Sequence, residues 1–336
     1  MKTVEYFAPG YSSIDDVRAE HTILDATTLQ KVADCPRKYF VRCELDLEPL
    51  RRSSPKMVAG IAIHAALEYY YSFSVRTKAT EEMARAICKD TWDSFKIDRA
   101  MMDMKDTHLS AEHLDKVLVN YFHTWNMERI EIFEPATYFM DDLILDDVIA
   151  AKWKVNDAGY VVLGESKLIM SFNVKGRDLV YSGIPDLPVT KQDGSLWAMD
   201  HKSTSSYLSD WWAKSFEVSN QLRGYMAMLR SLTGIVPQGG IINGIHVGKN
   251  AANPNSKAVK FDRYQFDFAP DHIDEALENQ LGWMDTIAHY REMDYWPQAC
   301  GYGGCDMPSI CRRDPDTRVE VLATEYQPST RDFWNL

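Results

Sequence analysis

Apolar residues recur at helical spacing in several windows of the chain. In "LDATTLQKVADCPRKYFVRC", Leu29, Val32 and Ala33 fall on one face, Asp25 or Thr27 is placed to cap the start, and Pro36 should bend the path just after Cys35. A second helix is predicted from "KMVAGIAIHAALEYYYSF", where Ile61, His64 and Glu68 recur three and four apart, so that His64 and Glu68 share a face. From about residue 77 to 131 the pattern stays helical: "TEEMARAICKDTWDSF", a Met- and Asp-rich link, then "AEHLDKVLVNYFHTWNMERI" capped by Ser110. Its stripe of Leu114, Val117, Leu118, Tyr121, Phe122 and Trp125 is explained by core packing.

Strand patterns dominate from about 136 to 202. "TYFMDDLIL", "GYVVLGES", "KLIMSFNVK", "LVYSGIPDLPV" and "LWAMDHKS" are rich in β-formers and separated by Gly, Asn and Asp. Helix returns in "SFEVSNQLRGYMAMLRSL", strands in "GGIINGIHV" and "RYQFDFA", and a last helix starts after Pro270. Helices, then strands, then alternation predict an α/β or α+β fold with a mixed sheet. The chain shows no internal repeat and no low-complexity tract.

The 336 residues, 45% hydrophobic and 12% aromatic, are ordinary for a globular chain with a sizeable core. No apolar run reaches the roughly 18 residues of a membrane span, and "MKTVEYFAPGYSSIDD" lacks a signal-peptide layout, so a soluble, cytoplasmic protein is expected. A net charge of -12 argues against nucleic acid at face value. Charge is uneven, however: between Lys31 and Lys56 seven basic residues, among them Arg37, Lys38, Arg51 and Arg52, face four acidic ones. That segment is either a solvated face or a phosphate track. Six cysteines in such a chain point to thiols or metal ligands rather than disulfides, and Cys300, Cys305 and Cys311 crowd into "CGYGGCDMPSIC".

The segment "SGIPDLPVTKQDGSLWAMDHKSTSS" carries the densest chemistry. A three-residue loop, Gln192-Asp193-Gly194, pairs Lys191 with Ser195 and sets Asp186 opposite Asp200. Their Cβ atoms would then stand about 4.5–5.5 Å apart. A two-residue loop would instead pair Asp186 with His201 and send the acids to opposite faces. Opposed like charges are unfavourable in a plain sheet. Lys202, two residues after Asp200, shares its face and offsets part of the repulsion, while a divalent metal would satisfy both carboxylates; hard oxygen ligands suit magnesium or manganese.

With these residues in view, the chain resembles the RecB-like branch of the PD-(D/E)XK nuclease superfamily. That pattern is a helical Gly-x-x-x-His, a Gly-x-x-Asp turn, an acid-x-Lys ending the next strand, and a helix with Gln-x-x-x-Tyr. Here they read Gly60 to His64, Gly183 to Asp186, Asp200-His201-Lys202 and Gln221 to Tyr225, in the family's order. A subset, the iron-sulfur nucleases that include AddB and the CRISPR-associated exonucleases, adds one Cys before the first motif helix and three near the C-terminus. Cys35, Cys300, Cys305 and Cys311 fit that layout, and similar endings occur in phage-encoded members. The resemblance spans roughly residues 22 to 312.

The resemblance implies a single nuclease unit over residues 1–336: a central mixed β-sheet flanked by helices, with a helical insertion at 77–131 and an iron-sulfur staple joining the chain ends. By thiolate chemistry alone the four cysteines suit either a 4Fe-4S cluster or zinc, and the missing Cys-x-x-Cys knuckle with the resemblance favours the cluster. Cys43 is an alternative fourth ligand, and Cys88 reads as a core thiol. In the implied site His64, Asp186, Asp200 and the His201 carbonyl hold Mg2+ or Mn2+, Lys202 orients water or steadies the phosphorane charge, and Gln221 and Tyr225 position substrate or the lysine. Glu68 is a candidate outer partner, and Glu165 a further candidate with less telling spacing. The expected activity is that of a metal-dependent DNA exonuclease in a bacterial or phage-infected cytoplasm. Single strands or duplex ends are its substrate, and recombination or replication proteins are potential partners. Tyr69, Tyr70, Tyr71, Trp211 and Trp212 are either core or a stacking surface for bases. The rival readings are a catalytically silent DNA-binding or assembly module, and a zinc-stapled hydrolase acting elsewhere.

Overall fold

The structure, a computed structural model, describes residues 1–50, 54–73, 76–97, 106–127, 134–256, 260–299 and 307–329. Two five-stranded sheets form its frame. The first contains β1 (Lys2–Phe7), β4 (Thr137–Phe139), β5 (Val148–Val155), β6 (Tyr160–Val174) and β7 (Arg177–Gly183), in the order β1-β5-β6-β4 with β7 also paired to β6. The second runs β11-β10-β9-β8-β3, from β3 (Glu134–Pro135), β8 (Leu187–Thr190), β9 (Leu196–Thr204), β10 (Gly239–His246) and β11 (Phe261–Asp267). Among the described residues of this second sheet only β9 and β10 pair in parallel, so it is mixed. A small ribbon joins β2 (Leu47–Pro49) to β12 (Tyr326–Pro328).

The helices are α1 (Ile14–Glu20), α2 (Ala26–Asp34), α3 (Pro36–Tyr39), α4 (Pro55–Tyr71), α5 (Lys78–Ser94), α6 (Ala111–Met127), α7 (Asp210–Lys214), α8 (Asn220–Thr233), α9 (Pro270–Met293), α10 (Pro308–Cys311) and α11 (Arg318–Glu325). Of the two proposed caps, Asp25 starts α2: its Oδ1 accepts from Thr28 N–H at 2.7 Å. Ser110 Oγ accepts from His113 N–H at 3.1 Å, as the sequence pattern predicts.

Alternation along β9 divides the core. Leu196 and Ala198 pack with α8, α9 and the first sheet, through Tyr225, Met226, Ile273, Trp153 and Leu168. Trp197 and Met199 face α4, α5 and α6, through Ile63, Leu67, Cys88, Leu114 and Leu118. Leu114, Val117 and Leu118 are fully buried. At about 1.5–3 kcal/mol per side chain, this burial outweighs the two-pronged Arg85–Asp115 ion pair, 2.7 and 2.9 Å, that also ties α5 to α6.

The single mixed sheet expected from the sequence is therefore two sheets. β1 and β5, absent from the predicted strand set, build much of the first one. "GYVVLGES" and "KLIMSFNVK" are one 15-residue strand rather than two, because the polar interruption at Glu165 is an irregularity within β6 and not a turn. "TYFMDDLIL" yields only three strand residues before a 3-10 turn at Met140–Asp142.

Candidate active site

The β8–β9 hairpin has the three-residue loop. Lys191 N–H donates to Ser195 O at 3.0 Å, Gly194 adopts φ +83°, and Leu187 pairs with Met199. Carried one residue on, this register sets Asp186 opposite Asp200. The two-residue alternative is excluded. Asp186 Oδ2 accepts from His201 N–H at 2.8 Å, which locks the turn before β8 onto β9.

Period-two alternation puts Asp200 and Lys202 on one face, where Lys202 Nζ lies 2.6 Å from Asp200 Oδ2. The same ammonium donates to Gln221 Oε1 at 3.1 Å, and Gln221 Nε2 donates to Tyr225 OH at 2.8 Å. One turn of α8 thus holds both groups of the Gln-x-x-x-Tyr pair in a relay ending at the lysine. Gly224 between them is forced by packing, since a Cβ there would stand 2.3 Å from Tyr181 Oη. From the other side α4 brings His64 Nδ1 to 3.5 Å from Asp186 Oδ2. The His201 imidazole turns to the opposite face, where Asn243 Nδ2 lies 2.8 Å from its Nδ1 and 2.9 Å from Tyr121 Oη.

Glu165 joins this group. Its φ of +55° is left-handed, rare for a residue with a side chain, and its N–H donates to Pro185 O at 2.8 Å, next to Asp186. Ser166 Oγ donates to Val162 O at 3.0 Å across the irregularity. One ligand atom each from His64, Glu165 and Asp186 lie within 4.8 Å of one another. Sequence spacing gave Glu165 little weight, because its placement depends on an irregular strand conformation; the acid inside an apolar strand was the available signal.

The electrostatics are those of crowded, buried acids. Burial and then Asp200 push the Asp186 carboxyl up to about 6, against the pull of His64 and Lys202. Burial, then Asp186, drive Glu165 well above the ordinary carboxylate range. For Lys202, burial acts downward, but Asp200 and Asp186 outweigh it and the net direction is up. Asp200 is 1% exposed; Lys202 compensates its Oδ2 at 2.6 Å, and its Oδ1 has no hydrogen bond among the described residues. Buried carboxylate oxygens with spare acceptor capacity, beside an imidazole, fit a hard divalent cation. Asp186, Glu165 and His64, with Asp200 adjoining, are the residues suited to hold one.

Among the other candidates, Tyr70 and Tyr71 are buried in the core, Trp212 is half-buried edge-on against Phe216, and Trp211 is 85% exposed. Arg37 Nη1 donates to Gln298 Oε1 at 2.7 Å. Arg51 and Arg52 lie outside the described residues, as do Cys300 and Cys305. Cys35 is buried between α2 and α3, and its Sγ accepts from Ala299 N–H at 3.5 Å, one residue before Cys300. Arg37 Nη1 also reaches Cys311 Sγ at 3.6 Å. Residues 35–49 are further joined to 291–299 and 326–328 by Arg291 on Glu44, Trp296 on Phe40, and the β2–β12 ribbon. Burial pushes the Cys88 thiol up to about 12, as a core thiol requires. No helix of the described residues is long and apolar enough to cross a membrane.

The chain belongs to the PD-(D/E)XK nuclease superfamily, whose model matches residues 24–312. Similar solved structures include a protein of Eubacterium rectale designated a candidate exonuclease, 13% identical, covering 94% of this chain and 99% of its own, with a TM-score of 0.45. Another is SSO0001, 12% identical over 80% of this chain and 81% of its own, with a TM-score of 0.28. At these scores the family assignment rests on the family model. The curated proteins offer no match.

Proposed function

We propose that this protein is a Mg2+- or Mn2+-dependent DNA exonuclease. The observation that carries the reading is the convergence of Asp186, Asp200, Lys202, Glu165 and His64 from four elements onto one cluster in a chain of the nuclease superfamily. His64, Glu165, Asp186, Asp200 and the His201 carbonyl are the proposed ligands. A dication held there supplies Lewis acidity toward a phosphodiester oxygen and toward water. The chain's own groups do the rest. His201 N–H fixes the Asp186 carboxylate, and Tyr225 and Gln221 fix the Lys202 ammonium beside Asp200. Lys202 presents a fixed positive charge where negative charge builds up on the phosphorus oxygens.

Cys35, Cys300, Cys305 and Cys311 are proposed to hold a 4Fe-4S cluster that ties both ends of one nuclease unit, with residues 77–131 as its helical insertion. The approach of Ala299 N–H to Cys35 and of Cys311 to Arg37 supports this. Anaerobically purified protein should absorb near 400 nm, and replacing Cys300, Cys305 and Cys311 by Ala should remove colour and stability together. A colourless variant with unchanged melting and activity overturns the cluster's structural role, and wild-type protein without that absorption overturns the cluster itself.

The nuclease reading is tested on 5'- and 3'-labelled single-stranded and duplex DNA with Mn2+. Asp186→Ala and Lys202→Ala should abolish degradation while leaving DNA binding in place. Wild-type protein that binds DNA yet never cuts it would instead be a nuclease-fold binding module.

A further inference from the structure

Lys154 and Glu68 have no part in the chemistry above, yet they form an ion pair beside the carboxylate cluster. Glu68 stands one helical turn past His64 on α4. It lines the same cleft as Glu165, Asp186 and His201. Lys154 comes from β5, just where its register against β6 shifts between Lys152 and Lys154. Its charge is the strongest attraction acting on Glu165, ahead of Lys167. An ammonium is therefore paired with a helix carboxylate that lines the cleft of a cluster suited to a dication, and its charge acts on the strand carboxylate Glu165.

Glu68, Glu165 and the outer side of Asp186 are hard oxygen donors from separate elements, a set from which a second dication site is ordinarily made. We infer that the Lys154 ammonium, held by Glu68 at the cleft that Glu165 also lines, occupies the place of a second dication, so that the site takes a single metal ion. The inference rests on the metal-dependent reading. Charge balance supports it. Glu68, Glu165, Asp186 and Asp200 face the ammonium groups of Lys154 and Lys202, so one dication completes neutrality and a second would leave a net positive cluster. Lys167 acts on Glu165 more weakly still and shifts the balance the same way. Without the Lys154 charge, Glu68 loses its ion-pair partner and Glu165 the strongest attraction acting on it. In this account Lys154 is a positioning residue that sets metal stoichiometry.

The test is Mn2+ titration of metal-free, full-length protein by calorimetry, with electron paramagnetic resonance to detect spin coupling between paired ions. Wild type should bind one Mn2+. Lys154→Met should bind two, with the coupling expected of ions roughly 3.5–4 Å apart. Adding Glu68→Gln to Lys154→Met should return the count to one. Two ions in wild type overturn the inference, as does a single ion in a folded Lys154→Met; Lys154→Gln serves if the methionine variant fails to fold. No Mn2+ bound by wild type removes the metal-dependent reading and this inference with it, whereas a count of one that never changes removes the inference alone.

Discussion

Replacing Asp186 by Asn should make the metal-free protein more stable while abolishing its response to metal. Asn keeps an oxygen to accept the His201 N–H and nearly the same volume, but removes a charge that burial and Asp200 both penalise. The carboxyl sits at about 6 in the folded chain against an ordinary 3.8, a gap of roughly two pH units. A group raised on folding stabilises the fold below its unfolded value and loses that contribution as pH climbs through the folded one. Above pH 6 the ionised Asp186 therefore costs about 3 kcal/mol, at 1.36 kcal/mol per pH unit. For 336 residues unfolding together, at about 2.1 cal/mol/K each, the gain is about 4 °C in Tm. The assay is thermal unfolding in EDTA from pH 4 to 7.5, repeated with Mn2+. The advantage of Asp186→Asn should be full at pH 7.5, shrink to about half near pH 5 and nearly vanish by pH 4. Excess Mn2+ should raise the Tm of wild type only. A variant no more stable than wild type at pH 7.5 in EDTA, or equally favoured at every pH, would refute the claim that these acids are held in mutual strain.

The same crowding makes metal binding a proton-releasing event, because Asp186 and Glu165 both hold protons more tightly than free carboxyls. Mn2+ affinity should weaken as pH falls below about 6, and calorimetry in two buffers of different ionisation heat should detect the released protons; no buffer dependence contradicts it. At position 165, Gly and Ala both delete the carboxylate, but only Gly tolerates φ +55° freely, so Glu165→Gly should unfold about 1 kcal/mol later than Glu165→Ala in denaturant melts. Gly224→Ala drives a Cβ to 2.3 Å from Tyr181 Oη, so about 1–3 kcal/mol of stability should go, with turnover falling as Gln221 moves off Lys202. Gly282→Ala in α9, where a Cβ meets nothing within 4 Å, should gain up to about 1 kcal/mol in the same melts.

Local chemistry made much of the site legible in the chain. The Asp-Gly loop limited the hairpin to two registers, and the structure takes the one in which Gly194 adopts a left-handed φ and side chains alternate outward to Asp186 and Asp200. Helical spacing put Gln221 under Tyr225, and Asp25 and Ser110 declared the starts of their helices. What stayed hidden depends on contacts between segments distant in sequence. β1 pairs with β5 across more than a hundred residues, and no periodicity within "KTVEYF" names that partner. Glu165 reads as a candidate of little weight near the end of one strand until the Pro185 carbonyl is seen to take its N–H beside Asp186, within an irregularity of one longer strand. Glu68 pairs with Lys154 for the same kind of reason, since a helix and a strand meet only after the core has closed. The sequence by itself named most of the donors, narrowed the hairpin to two registers and set Gln221 one turn from Tyr225, all by backbone geometry over a few residues. Tertiary packing alone decided which charges are buried together, and so how strongly each acid holds its proton, because desolvation and Coulomb energy depend on distances through space.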